Sequence, residues 1–488
     1  MFRFHMPTEP SSIDPALLVS SDASYFLINV MRGLYTYHES EGLKPEGAQS
    51  CAFETPRRIS CRLKKDRKWS DGTDVVADDY VRAFRRLVTP TARSLSVELL
   101  KRVKNAVEIH AGKMAADQLG VRAQGSHRLI FDFESRDQDF LYKLTHSVLV
   151  PVKSEKFPKR EDSAQTVVNG PYKVASWTPG RRIRLEPNSR YEGFEARPPV
   201  EILMIDDDQT ALNLYDQGEL TFLRRLPATY IGRYKTKPDF IQIPVARFDY
   251  IGFGEELRHL PDLRAALSMS VDYGEIAKIL EGSQRGGCPG ISEKLLNPLT
   301  CLEFNPQLAR EKFAKLSEET RTKRFRMTFS KLGGDDIKKT AEWFQAQWKK
   351  NLGFHVELEQ VEQGVHIHTL KTKPPPIFRK GMHLERPTCL AALETFAAGG
   401  PENFLKIEDP RLEAIIKDLA NTTSAEAKRK LCSQGVARLI DENRLIPLGR
   451  ASFTLLVNPQ FTGWSLNEMN QLNLAGLKTR VPSEKKKP

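Results

Sequence analysis

At 488 residues, with 40% hydrophobic and 28% charged side chains, the chain is too long for one core and has the composition of an ordinary folded protein, so two or three domains are expected. The formal charge of +12 is scattered over pairs such as Arg57-Arg58, Lys64-Lys65, Arg85-Arg86 and Arg181-Arg182 and a Lys485-Lys486-Lys487 tail, with no aromatic-studded basic stretch; this argues for a solvated surface and against a nucleic-acid partner. The longest apolar stretches, such as 148–152, fall far short of the roughly 18 to 20 residues that a membrane-spanning helix needs.

The chain opens on Met1-Phe2-Arg3-Phe4-His5, which alternates like a strand, with no basic head, apolar run and cleavage site behind it. The expectation is an intracellular chain, or one whose signal has been removed or missed at the start codon. Residues 59–63 read as a strand and Lys68-Trp69-Ser70-Asp71-Gly72 as a turn. A helix follows over 77–88, because Tyr80, Val81, Phe84, Leu87 and Val88 share one face, Asp78 and Asp79 favour its dipole, and Pro90 stops it. Residues 169–188 read as a hairpin turning at Pro179-Gly180.

A strand over 200–205 precedes a helix from Asp208 to Gly218, where the Asp206-Asp207-Asp208 run is read as a helix cap and not as a metal site. Helices are expected over 262–269 and 273–280, followed by a glycine-rich loop over 282–290. A strand over 325–329, a helix over 336–351 ended by Gly353 and a short strand over 355–358 come next. Helices over 410–419 and 424–439 lead into separate strands over 445–448 and 453–457. Strands and helices interleave throughout, so the class is α/β with mixed sheets.

Six cysteines permit 15 pairings. Cys51 and Cys61 flank 54–58, and an antiparallel hairpin centred on Pro56 sets them opposite each other. Cys288 and Cys301 bracket a Pro- and Gly-rich loop and could also join. Cys389 and Cys432 fit a bond or two buried small side chains in helices about equally. None has CxxC spacing, so zinc is not expected. There is no phosphate loop, GxGxxG, HExxH or GxSxG. Gly252-Phe253-Gly254 is too short a signal, and His366-Ile367-His368, which aligns two imidazoles if extended, reads as two surface histidines. No enzyme class and no cofactor is read from these motifs.

Taken in order, certain motifs form a known series: Ser12-Ile13-Asp14-Pro15-Ala16, Met31-Arg32-Gly33-Leu34-Tyr35, Lys68-Trp69-Ser70-Asp71-Gly72-Thr73, Asn169-Gly170-Pro171-Tyr172, Leu214-Tyr215-Asp216-Gln217-Gly218, Leu263-Arg264-Ala265-Ala266-Leu267, Trp348-Lys349-Lys350-Asn351-Leu352-Gly353 and Ile446-Pro447-Leu448. In this order the chain resembles the peptide-binding branch of the ABC-transporter solute-binding proteins, family 5. The resemblance implies a two-lobed periplasmic-binding-protein-like fold (type II, cluster C) with an extra inserted domain. Lobe I would comprise 1–45, 156–246 and 449–488, the inserted domain 46–155 and lobe II 247–448.

The implied function is a monomeric receptor, periplasmic or extracellular, that captures a peptide in an interlobe cleft and delivers it to ABC permease subunits. A peptide-binding sensor or chaperone uncoupled from transport, or a thiol peptidase using Cys389 or another thiol with a histidine, are the alternatives. An ungapped match over 348–396 puts the family's acid for the peptide α-amino group on Glu385 and an arginine for a peptide carboxylate on Arg379. Anchoring on Pro387-Thr388 instead moves the acid position to His383. Gly381 and His383 fall in the stretch whose backbone pairs with the peptide, as do Ala23, Ser24 and Tyr25 on the other lobe. Departures from the family are Arg386 for an aromatic, Gln363 for a pocket tryptophan, Glu281 for a lysine and Ile337 for a histidine.

Overall fold

In the computed structural model the chain forms two units, Met1–Leu226 with Gly232–Ile243 and Thr454–Pro488, and Pro227–Ile231 with Pro244–Phe453. The structure describes residues 1–17, 21–38, 40–92, 94–279, 286–332, 335–384, 386–400 and 402–480.

The first unit is organised on the strand Phe2–Met6, whose Phe2, Phe4 and Met6 are fully buried. It pairs in parallel with Val200–Met204 (Phe2↔Val200 to Met6↔Met204) and touches Phe222–Leu223 at Phe4↔Phe222. Beyond Val200–Met204 lies the expected hairpin, Arg182–Pro187 and Tyr172–Thr178, both antiparallel. On the other side Phe222–Leu223 pairs antiparallel with Leu456 and Val457. Parallel and antiparallel ladders thus share this sheet.

A separate four-stranded antiparallel sheet runs Ala48–Thr55, Arg58–Leu63, Arg128–Asp132, Val121–Ala123. The helix Ala77–Val88 lays Tyr80, Phe84, Leu87 and Val88 into one core with Ile59, Trp69 and Phe131. Each large apolar side chain so buried contributes about 1.5–3 kcal/mol. The Lys68-Trp69-Ser70-Asp71-Gly72 motif is the joint between turn and helix. Gly72 takes φ 89°, and the buried Trp69 donates Nε1–H to Asp79 Oδ2 at 2.9 Å. The same oxygen accepts the Val76 N–H at 3.0 Å. Asp79 therefore caps the helix and fastens the turn, beyond the dipole role its position suggested.

In the second unit Phe325–Ser330 pairs in parallel with Val356–Val361 and, at Met327↔Ile377 and Thr328↔Phe378, with Ile377–His383. Ile377–His383 is antiparallel to Phe240–Phe253. The helix Asp335–Leu352 buries Ile337, Ala341, Phe344 and Trp348 against Phe325, Met327 and Phe354, and Gly353 leaves it at φ 69°. A second core gathers Phe248, Tyr250, Phe378, Met382 and Phe396 with the helices Pro410–Asn421 and Ala425–Ile440.

Three readings change. The strands over 445–448 and 453–457 are one, Leu445–Val457, which runs on through Gly449 at φ 94°. His366-Ile367-His368 lies on the helix Gln363–Thr372, which turns the two rings apart: His366 is buried and His368 exposed. Cys389 and Cys432, left open between bond and burial, are both helical and disulfide-linked; Cys51–Cys61 and Cys288–Cys301 are the other two bridges. Cys51 and Cys61 are opposed in the hairpin ladder, as its turn requires. The 282–290 loop lies partly, and Glu281 wholly, outside the described residues.

Among the described residues no helix is long and apolar enough to cross a membrane, and no group of three or more His, Cys, Asp or Glu could hold a metal ion.

Candidate functional site

The strand Ile377–His383 carries three of the sequence-derived site residues. Antiparallel pairing alternates: one set of residues exchanges hydrogen bonds with the neighbouring strand and the set between turns its N–H and C=O the other way. Leu384 N–H donates to Ala246 O at 2.8 Å and Gly254 N–H to Pro376 O at 3.0 Å. Even-numbered residues therefore bond to Phe240–Phe253. Arg379, Gly381 and His383 direct their main-chain groups to the opposite edge. There the ladder to Phe325–Ser330 ends at Thr328↔Phe378 among the described residues. His366 Nε2 meets the Arg379 carbonyl on that edge at 3.0 Å, and a carbonyl accepts, so the ring nitrogen is the donor. Gly381 comes next, its main chain directed to the same edge.

The side chains sort by the same parity. Phe378 and Met382 face the apolar core with Phe248 and Tyr250. Arg379, Gly381 and His383 share their face with Arg247, Asp249 and Ile251 (Arg247↔His383, Asp249↔Gly381, Ile251↔Arg379). Asp249, 8% exposed, accepts from Arg247 Nε at 2.7 Å, and its second oxygen lies 3.4 Å from Arg379 Nη2. Burial pushes this carboxyl up, but Arg247 and Arg379 overcome the burial and hold it below the usual aspartate range. A Cβ at Gly381 would lie 2.0 Å from Asp249 Oδ1 and 2.3 Å from Arg247 Nη2. Glycine is what lets this pair fold across the strand. His383 is exposed and stacks on Phe453, ring centroids 6.1 Å apart.

Arg379 is thus part of an ion cluster with Asp249, its side chain only 12% exposed. Arg386, which stands where the family has an aromatic, is buried and bound to Glu394 at 2.6 Å. Glu385, the residue assigned to the peptide amino group, lies outside the described residues. Ala23, Ser24 and Tyr25 are all buried on the helix Ser21–Val30. A helical main chain cannot lie alongside a peptide as an extended ladder strand, so strand-like pairing at these three positions is corrected. Tyr25 instead hydrogen-bonds Asn470, and its ring carries the Arg224 guanidinium at 5.2 Å.

Sequence reasoning missed Arg247, Asp249 and His366. Residues 245–253 are buried almost continuously, so the strand shows no two-residue alternation to betray it. Of the substituted pocket positions, Ile337 is core and Gln363 opens the helix that carries His366.

The model of the bacterial extracellular solute-binding proteins, family 5 (middle), matches residues 43–403. The probable deoxycholate-binding periplasmic protein YgiS of Escherichia coli is 24% identical over 491 residues, covering 96% of this chain and 91% of that protein. The periplasmic oligopeptide-binding protein OppA of Salmonella typhimurium is 25% identical over 482 residues, covering 94% and 88%. Among solved structures, the E. coli murein tripeptide binding protein MppA superposes with a TM-score of 0.81 at 20% identity, covering 98% of each chain. Haemophilus influenzae OppA in complex with RPPGFSPFR gives 0.79 at 22%, covering 98% of this chain and 99% of that one. The fold is accordingly the α/β periplasmic-binding-protein fold with mixed sheets, as the resemblance implied. The chain belongs to the family 5 bacterial extracellular solute-binding proteins.

Proposed function

We propose that this protein is the peptide receptor of an ABC importer: it captures a peptide outside the cytoplasm, in the periplasm or at the cell surface, and delivers it to a membrane permease as a monomer. The observation that carries this reading is the edge of the strand Ile377–His383, where Gly381 turns its N–H and C=O away from its antiparallel partner next to a row of charged side chains. Main-chain bonding along such an edge is indifferent to ligand side chains, which suits a carrier of varied peptides. In this reading His383 extends the edge, Arg379 with Arg247 faces ligand carboxylates, Glu385 receives the ligand amino group, and Ala23, Ser24 and Tyr25 contribute to ligand binding. The lobe boundaries follow: 1–45, 156–246 and 449–488 for lobe I, 46–155 for the inserted domain, 247–448 for lobe II.

Relatives named for oligopeptides and one named for deoxycholate are equally similar to this chain, so the test sets the two ligand classes against each other. Calorimetric titration with a mixture of short peptides, and separately with deoxycholate, is expected to give saturable heat with peptides alone. Saturation by deoxycholate with no response to peptides would overturn the reading.

A further inference from the structure

Away from that strand, the first unit gathers Arg32, Arg67 and Arg197 around Tyr191. Arg32 is 3% exposed; its Nη2 reaches Asn473 Oδ1, while Nε and Nη1 have no hydrogen-bond partner among the described residues. Arg197, 5% exposed, lies over the Tyr172 and Tyr191 rings and, among the described residues, bonds only to carbonyls, those of Pro171, Glu192 and Ala475. Arg67, its side chain 15% exposed, lies over the Tyr191 ring at 5.7 Å, and its Nε has no hydrogen-bond partner among the described residues. Among the described residues, one largely buried carboxylate, Glu46, stands against these three guanidinia. It is 4.0 Å from Arg67 and already accepts the Tyr191 hydroxyl at 2.8 Å. Glu192, 3.8 Å from Arg67, is 74% exposed and heavily screened. Burial, with the charge of Arg32 adding to it, pulls Arg197 below the ordinary guanidinium value.

A pocket of about 320 Å³ opens onto this cluster. Its inner wall is Arg67, Asn169 and the buried Tyr191; Asn169 clasps the Arg32 main chain through both ends of its amide. Arg190 shares the exposed rim with Asp66, Glu192 and Glu195. A buried guanidinium without a counter-ion costs several kcal/mol, and such a cost is offset where an anion or bound water completes the site. We propose that this pocket binds a small oxyanion, a carboxylate or a phosphate, against Arg67 and the cationic cluster behind it. None of its lining residues lies on the strand Ile377–His383 or among Ala23, Ser24 and Tyr25.

The test is thermal unfolding of the full chain in sodium phosphate and in sodium acetate, each matched in ionic strength with sodium chloride, for wild type and Arg67→Met. Saturable binding of either anion should raise the wild-type Tm by roughly 2–4 °C, a shift that Arg67→Met abolishes while peptide titration is unchanged. Equal shifts in both proteins, or none in wild type, would overturn the proposal. Should Arg67→Met not fold, phosphorus-31 line broadening of phosphate on wild type decides; the absence of saturable broadening, with none for acetate by carbon-13, rejects the site.

Discussion

Asp249 and Arg379, on neighbouring strands and 3.4 Å apart, share a buried charge cluster in which Arg247 holds the other oxygen of the same carboxylate. Removing the carboxylate leaves two guanidinia side by side with little solvent to screen them. Asp249→Asn is expected to lose about 3 kcal/mol of stability at neutral pH, measured by urea unfolding. The sign with pH follows from a carboxyl held low in the fold. Its contribution is present above the unfolded value of about 3.9 and is lost as pH falls through the folded one, so the two proteins converge in acid. An unchanged urea midpoint at pH 7 would show that the cluster carries no stability.

Gly381→Ala tests the same cluster from its other side. The added methyl meets the Asp249 and Arg247 side-chain ends, which must swing away. A cost of about 1–3 kcal/mol is expected, with peptide affinity falling because the displaced pair stands beside the edge. Wild-type stability and affinity in Gly381→Ala would mean the pair does not lie over this strand.

His5, 2% exposed on the first strand, is held neutral: burial foremost, then the charge of Arg224, lowers its pKa to about 3. An unfolded chain takes up a proton near pH 6.5 that the fold refuses. Stability should therefore fall as pH drops from about 6.5 toward 3, by up to about 1.4 kcal/mol per pH unit. Unfolding of His5→Leu across this range should show a shallower slope than wild type. Parallel slopes would place the acid sensitivity elsewhere.

Cys389 and Cys432 close a loop with a sequence separation of 43. Replacing both with alanine relaxes the unfolded chain by about 4 kcal/mol on the loop-entropy account. Thiol counting under denaturing conditions should find no free thiol in the oxidised protein, and the double variant should unfold at lower denaturant. Two reactive thiols in wild type would exclude this bridge.

The charge-assisted bond assigned to Glu385 is worth about 1.5–3 kcal/mol, so Glu385→Gln should weaken peptides with a free amino terminus by at least tenfold and leave acetylated ones unaffected. Equal calorimetric affinities for a free-amine peptide would remove Glu385 from the site.

Periodicity made the amphipathic elements legible. The helix Ala77–Val88 and the hairpin Tyr172–Pro187 each bury one face, so their apolar residues repeat at the period of the element. Phe240–Phe253 escaped because strands buried on both faces lose that contrast. The Arg247–Asp249–Arg379 cluster escaped too, since only strand register brings 249 to 379. The helix under His366 and His368 escaped as well, although Glu362 caps it by accepting the Gly364 and Val365 N–H groups. Short motifs read in order led to the family, while the residue-level carry-over met a helix at 23–25 where an extended partner was expected.

Native mass spectrometry of the gently purified protein tests peptide capture most directly. Additional masses that dissociate on denaturation and sequence as short peptides are the predicted result. Peptides cleaved on addition, or a bound sterol with no peptide retained from any mixture, would contradict it.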